Sequence, residues 1–206
     1  MKDFKEYTIL DAKTPIVVTS STDATPIVVT STAHGFANDD LVMIYGHTTN
    51  IAANGVYRIA NKTDNTFELV DRDSRADIAG TGGGAGSNGI VVAAPKIPLT
   101  KGFRIAVISF FTSGTATLTA KVAGSIGATT PNFGATVSPT NAYDFLQVID
   151  LEDNSTLDGD TGIAAAGADV ARQFEVNVNA TEYMTVIPTA WTQGALTIKM
   201  LLTNNQ

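Results

Sequence analysis

From Thr25 to Val70 the chain alternates short apolar runs with turn signals at intervals too brief for helices. Ile27-Val28-Val29-Thr30 runs to Ala33-His34-Gly35, and a polar Asn38-Asp39-Asp40 turn leads into Val42-Met43-Ile44. Asn54-Gly55 then precedes Val56-Tyr57-Arg58-Ile59, and Phe67-Glu68-Leu69-Val70 closes the series. β-branched runs bounded by Gly, Asn and Asp read as strands joined by tight turns. The stretch is expected to be a compact β-module suited to assembly, with no reactive residue that would make it an enzyme core.

A direct repeat overlaps its start. Thr14-Pro15-Ile16-Val17-Val18-Thr19-Ser20 recurs as Thr25-Pro26-Ile27-Val28-Val29-Thr30-Ser31, seven identical residues at an interval of 11. That interval is shorter than any solenoid unit, which runs about 20 to 50 residues. It holds two strands linked by Ser21-Thr22-Asp23-Ala24, so a duplicated β-hairpin is expected; the sharper alternative has one copy pairing with a neighbouring subunit. Each proline sits at a strand start, where its missing N–H costs least.

The character of the chain then changes. Residues 80 to 89 hold six glycines and read as a flexible link or exposed loop, with a connecting strand at Ile90–Ala94. From Ile97 onward, strands are expected at Phe103–Phe111, Thr115–Val122, Tyr143–Leu151, Gln173–Asn179, Tyr183–Pro188 and Ala195–Leu202. Thr112-Ser113-Gly114 and Thr192-Gln193-Gly194 carry hairpin chemistry. Ile163–Arg172 is Ala-rich and leaves room for a short helix at most. The expected organisation is an N-terminal arm (1–13) that orders on a partner, with a short helix or strand as its alternatives, a small barrel-like β-module (14–79), a Gly-rich linker with a connecting strand (80–96) and a β-sandwich or jelly-roll-like domain (97–206). The expected class is all-β. Leu201–Gln206 follows directly on a strand, so this end is expected to be tied into a sheet.

Composition bounds what such a chain does. Its 206 residues are 44% apolar, enough to bury cores. Cysteine is absent, which removes disulfides, thiolate nucleophiles and thiolate zinc sites. No apolar run reaches the ~20 residues of a membrane helix, and Met1–Glu6 lacks a signal-peptide core. A soluble protein made in the cytosol is therefore expected, without membrane partners. The net charge of −7, with 13 Lys and Arg scattered along the chain, opposes nucleic-acid binding, because phosphates need clustered cations.

Candidate chemistry is sparse. Gly84-Ala85-Gly86-Ser87-Asn88-Gly89 matches the dinucleotide pattern in letters, but that fingerprint needs a helix after it, and Ile90-Val91-Val92 followed by Pro95 is strand-like. A linker is expected, and no cofactor. His34 and His47 are the two histidines; shared metal ligation requires a third donor, for which Asp39 and Asp40 are the candidates, and turn roles are expected instead. A Ser/His/Asp triad is allowed by composition, yet no G-x-S-x-G elbow accompanies it. Asp150–Gly162 is the densest acidic stretch. It reads as a solvated loop, with calcium binding or a carboxylate pair among Asp150, Asp153 and Asp158 as the sharper alternatives. Trp191, Tyr183 and Tyr143 are aromatics that stack on a sugar if exposed, and Trp191 is expected to cap a core. No catalytic residue is assigned, and a metal site is left open.

The stretch Pro26–Val70 resembles a small β-module that recurs in phage virion proteins and is similar to the first catalytic cysteine half-domain of ubiquitin-activating enzymes. Ile27-Val28-Val29-Thr30, Ala33-His34-Gly35-Phe36, Leu41–Ile44, Asn54–Ile59 and Thr63–Leu69 carry the resemblance. It covers under a quarter of the chain. In phage proteins the module is implied to be structural, and the adenylation and cysteine chemistry of the ubiquitin enzymes is not implied. Arg172–Val178, Glu182–Gly194 and Leu196–Ile198 resemble the closing strands of phage structural sandwiches, although Met184-Thr185-Val186 departs from the arginine often found there.

The expectation is a non-enzymatic virion structural protein of a tailed phage. Its foremost reading is a capsid decoration or cement protein on the outer shell; a tail, baseplate or fibre protein that contacts a receptor or glycan is the alternative. Expected partners are the major capsid protein or other virion proteins, and further copies of the chain in a homo-oligomer such as a trimer. The expected location is the virion, after synthesis in the host bacterial cytoplasm.

Overall fold

The computed structural model describes residues 4–81, 89–127 and 129–204. Its strands, in chain order, are β1 (Phe4–Lys13), β2 (Ile16–Val18), β3 (Ser20–Ser21), β4 (Val28–Thr30), β5 (Leu41–Tyr45), β6 (Gly55–Ala60), β7 (Thr66–Asp71) and β8 (Gly89–Ala93). They continue with β9 (Ile105–Ser125), β10 (Asp144–Phe145), β11 (Val148–Asp150), β12 (Thr156–Leu157), β13 (Ile163–Ala168), β14 (Ala171–Asn177) and β15 (Tyr183–Thr203). One 3₁₀ turn, Ile51–Ala53, interrupts them. The fold is all-β, and every ladder between these strands is antiparallel. The chain divides into two compact units, one made of 15–94 with 132–137 and the other of 1–14, 95–131 and 138–206.

The first unit is a curled seven-stranded sheet in the order β2-β8-β5-β6-β7-β4-β3. The strands at its two ends, β2 and β3, are separated in the chain by Thr19 alone. Thr19 donates its N–H to Thr30 O at 2.9 Å, so a segment that leaves β8 is handed directly to β4 and the sheet curls onto itself. Alternate residues point inward, as the pleat requires: Val18, Val29, Val42, Ile44, Tyr57, Ile59, Phe67, Leu69 and Val91 form one core with Ile27. The duplicated heptapeptide is therefore not a simple hairpin. In the first copy Ile16–Val18 pairs with β8, and Ser20-Ser21 pairs with the second copy at Thr30 and Val29. Residues 132–137 join this unit: Asn132 Oδ1 accepts the Val56 N–H at 2.5 Å and Phe133 is fully buried. Gly55, at φ +136°, leaves the space this contact needs, because a Cβ there would lie 2.7 Å from Asn132 Nδ2.

The expected linker and connecting strand at 80–96 is corrected in part. Residues 82–88 lie outside the described residues, but β8 is an internal stave between β2 and β5. Its Ile90, Val91 and Val92 are buried, which is why this strand reads as a continuous apolar run. Of the readings open for 1–13, the described residues from Phe4 form the strand rather than an arm. β1 pairs with β15 from Phe4↔Thr203 to Lys13↔Leu196, and Ile9 and Leu10 are buried beneath it. That pairing also ties Leu201–Thr203 into a sheet.

The second unit is an eight-stranded sheet built on two 21-residue strands, β9 and β15, paired along their length. β1 lies on the far edge of β15, and β14, β13 and β10 share the far edge of β9. The two expected hairpins at Thr112–Gly114 and Thr192–Gly194 are bends within these strands. Gly114 (φ +69°) and Gly194 (φ +92°) adopt left-handed backbone at neighbouring positions of the ladder, and Gly167 (φ +133°) at the end of β13 and Asp169 (φ +50°) just after it do so as well. β9 and β15 thus bend along one crease, beside the turn that joins β13 to β14, with bulges in β15 at Pro188/Ala190, Trp191/Gln193 and Gln193/Ala195. Side chains from both sides of the crease enter one core. Ile108, Phe110, Phe174 and Met200 come from one side, and Leu118, Ala120, Val122 and Ile163 from the other. A sheet that bends at a shared line makes two layers from the same strands.

The Ala-rich 163–168 stretch is a strand rather than a helix. It pairs residue by residue with Thr115–Ala120 and buries Ile163 and Ala165. Ladder partners override alanine's helix preference here.

Candidate functional site

At one end of the folded sheet, the last residues of β9, the β10 segment and the turn after β14 enclose a groove of about 590 Å³. Gly124, Ser125, Ile126, Tyr143, Leu146 and Thr181 are among its lining residues. A Cβ at Gly124 would stand 2.7 Å from Leu146 Cδ1 and 3.1 Å from Thr181 Cγ2, so a larger residue would have to displace these side-chain ends. Gly124 sits between Asp144 and Met184 in the ladder.

The polar atoms around the groove are largely engaged by the fold itself. Ser125 Oγ donates to Ala142 O at 2.7 Å and accepts the Gly127 N–H at 3.2 Å. The Thr181 hydroxyl lies 2.8 Å from that of Thr100 and 3.2 Å from Val178 O. Asn177 Oδ1 accepts the Asn179 N–H at 3.0 Å, and Asp144 Oδ1 accepts the Phe145 N–H at 2.8 Å. An apolar wall is left facing outward. Ile126 is 76% exposed at its rim, and Tyr143 stands edge-on to Phe145 with ring centres 6.0 Å apart. Asp144 is the charged residue lining the groove.

The polar residues singled out by sequence serve the fold. His34 Nδ1 accepts the Phe36 N–H at 3.1 Å, and its ring stacks on Phe36 and meets Phe67 edge-on. Because Nδ1 accepts, the neutral ring carries its proton on Nε2, a buried atom with no hydrogen-bond partner among the described residues. Asp39 pairs with Arg75 at 2.5 Å, and Asp40 Oδ2 caps the Ala37 N–H at 2.8 Å. Among the described residues no three of His, Asp and Glu gather as a metal ion requires.

His47 belongs to a buried cluster that sequence reasoning missed. Its Nε2 lies 2.5 Å from Ser21 Oγ, while Asn50 Nδ2 donates to Ser21 Oγ at 3.1 Å and to Thr22 O at 2.8 Å. Ser21, His47 and Asn50 are all buried. Burial holds the His47 imidazole below its ordinary pKa. The hydroxyl and the imidazole are adjacent as in a nucleophile–base pair, but the amide bonds to the serine rather than orienting His47 Nδ1, and the serine is walled off from solvent. The cluster fastens β3, the strand at the barrel seam, to the loop after β5. Its signal in the sequence was three polar residues, with His47 and Asn50 lying 26 and 29 positions after Ser21, which no local spacing rule joins.

In the acidic loop, Asp150 is buried and forms an ion pair with Arg172 of β14; its Oδ1 accepts the Glu152 N–H at 3.0 Å. Asp153 and Asp158 each accept a backbone N–H two residues on, from Ser155 and Asp160, both at 2.8 Å. The three carboxylates are thus turned onto separate partners. Trp191 is half-buried against the core, and its indole N–H donates to Gly194 O at 2.8 Å across the bulge. Tyr183 is half-buried as well. Residues 84–88 of the glycine pattern lie outside the described residues; Gly89 opens a strand where the fingerprint needs a helix.

No family model and no curated protein matches the chain. The likeness of Pro26–Val70 to the ubiquitin-activating half-domain therefore rests on its quoted residues alone. Among solved structures, the chain is similar to the SPBc2 prophage-derived protein YomS, with a TM-score of 0.42 and 8% identity over 98% of this chain and 95% of that one. No helix among the described residues is long and apolar enough to cross a membrane.

Proposed function

We propose that the chain is a non-enzymatic structural protein of a tailed-phage virion that decorates the outer capsid shell. The observation that carries the reading is the groove at the end of the folded sheet. Its polar atoms are largely engaged internally, its wall is apolar, and Ile126 stands 76% exposed beside it. Such a face is suited to docking another protein. The resemblance of Pro26–Val70 to a phage virion module, and of the closing strands to phage structural sandwiches, supports a virion as the setting. A protein that binds only the assembled shell stabilises it by mass action. The partner is then the major capsid protein or a neighbouring virion protein, with further copies of the chain arranged about the shell's symmetry axes. Neither nucleic acid nor membrane is a partner in this reading.

Cryo-electron microscopy of the native virion tests it. Regular density for both units over the shell lattice is the expected result. Density confined to the tail, baseplate or a fibre would replace decoration with the tail reading, and absence of the chain from the particle would overturn both.

A further inference from the structure

We infer that the Gly124–Thr181 groove receives a protein segment in which an aliphatic or aromatic side chain is flanked by lysine or arginine; as the site of virion attachment, this rests on the reading above. Three observations converge on that chemistry. The groove's ≈ 590 Å³ lies in the range that holds several buried side chains, and its wall is apolar, so the central contact is hydrophobic. Asp144 is exposed at the lining and spends Oδ1 on the Phe145 N–H, which leaves its second carboxylate oxygen to face an incoming cation. The whole chain carries −7, so its field favours a cationic segment over an acidic one. Apolar burial supplies the affinity, and the Asp144 carboxylate supplies orientation.

The test uses the full chain on purified virions. Carbodiimide, which condenses a carboxylate with an amine in ion-pair contact, is expected to join Asp144 to a lysine of a neighbouring virion protein. Re-addition to particles stripped of the chain is expected to weaken at least tenfold with Ile126→Glu and with Asp144→Lys, and binding of the unmodified chain is expected to fall as sodium chloride rises. Ile126 and Asp144 are exposed, so both variants are expected to keep the parent melting temperature.

If the chain occupies the particle but no Asp144 adduct forms and both variants rebind like the parent, the groove assignment is wrong while the virion reading stands. If the chain is absent from particles, the virion reading fails, and the groove is judged on the free protein. There, a lysine-flanked leucine–phenylalanine peptide is expected to shift the amide resonances of Gly124–Ile126 and Asn177–Thr181, and its glutamate-flanked counterpart is not. Equal shifts from the two peptides, or none from either, would overturn the assignment.

Discussion

Asp169 and Gly114 face each other across the crease of the folded sheet and bind reciprocally. The Asp169 carboxylate accepts the Gly114 N–H at 3.0 Å, and the Asp169 N–H reaches Gly114 O at 3.3 Å. Both residues hold left-handed backbone, where aspartate is among the few non-glycine residues tolerated. The side chain of a residue between β13 and β14 thus serves a backbone N–H at the bend of β9. The adjacent Val170 N–H is served in the same manner, by Thr112 Oγ1 at 3.1 Å.

Removing the Asp169 carboxylate, as in Asp169→Ala, is expected to cost about 1 kcal/mol in urea unfolding. Gly114→Ala meets no atom within 4 Å and isolates the backbone strain, about 1–2 kcal/mol. Gly194→Ala adds a contact at 3.0 Å to the Ala116 backbone and is expected to cost more than Gly114→Ala. Equal costs at the two glycines would mean that the crease is not held by close packing.

The first strand is structural rather than a free arm. Leu10→Ala is expected to destabilise by about 2–5 kcal/mol in chemical denaturation, because Leu10 is 3% exposed. Phe4→Ala, at a position 69% exposed, is expected to change stability by less than about 0.5 kcal/mol. Similar small effects at both positions would restore the arm.

The His47 imidazole is held below its unfolded value of 6.5 by burial, so the unfolded chain binds its proton more readily than the folded one. Stability is therefore full above pH 6.5 and falls as acid carries the solution through the folded-state value. A series of melting curves from pH 7.5 to 4.5 is expected to show a smaller acid loss for His47→Gln than for the parent. An unchanged acid limb would remove His47 as its cause.

At alkaline pH the corresponding group is Tyr57. Burial raises its phenol from 10.0 to about 12, and its oxygen lies 2.6 Å from Ala52 O and 2.8 Å from Asn54 O, two acceptors that would repel a phenolate. The unfolded phenol ionises first, so this contribution is complete below pH 10 and is lost as pH rises toward 12, up to roughly 3 kcal/mol. Absorbance titration near 295 nm is expected to show one late tyrosine, absent in Tyr57→Phe.

Arg172→Ala strands the buried Asp150 carboxylate and is expected to cost about 3–5 kcal/mol. The double replacement of Asp150 and Arg172 by alanine should cost less than the sum of the two single changes. Calcium is expected to leave the melting temperature unmoved, since Asp150, Asp153 and Asp158 are committed to separate partners. A rise with calcium that chelator reverses would show that the loop rearranges to bind it.

Much of the first unit was legible because its turns are chemically marked: Asn38–Asp40 and Asn54-Gly55 lie between runs whose alternate residues are buried. β8 was less legible, because its apolar run directly follows a glycine-rich stretch that signals a link, and its place between β2 and β5 is a long-range choice. β1 carries Lys5, Glu6, Asp11 and Lys13, charges that resemble a solvated arm but suit an edge strand. Thr112–Gly114 and Thr192–Gly194 carry the same letters as a reversing turn. Whether such a glycine reverses a strand or bends it depends on the partner strand, here a crease shared with Asp169, and no local window contains that information. The groove was illegible for the same reason. Gly124, Asp144 and Thr181 are ordinary residues until the ladder brings them together.

The way the barrel closes has a consequence for biosynthesis. Ile16–Val18 precedes its partner β8 by about seventy positions, and β1 precedes its partner in β15 by nearly two hundred. Neither strand has its neighbour when it leaves the ribosome, while β5, β6 and β7 pair in succession with strands already made or next to emerge. A nascent chain arrested after β7 would therefore hold a meander with an unfinished seam. The first copy of the heptapeptide would find its place only once β8 emerges, whereas the second, in β4, pairs with β7 before then.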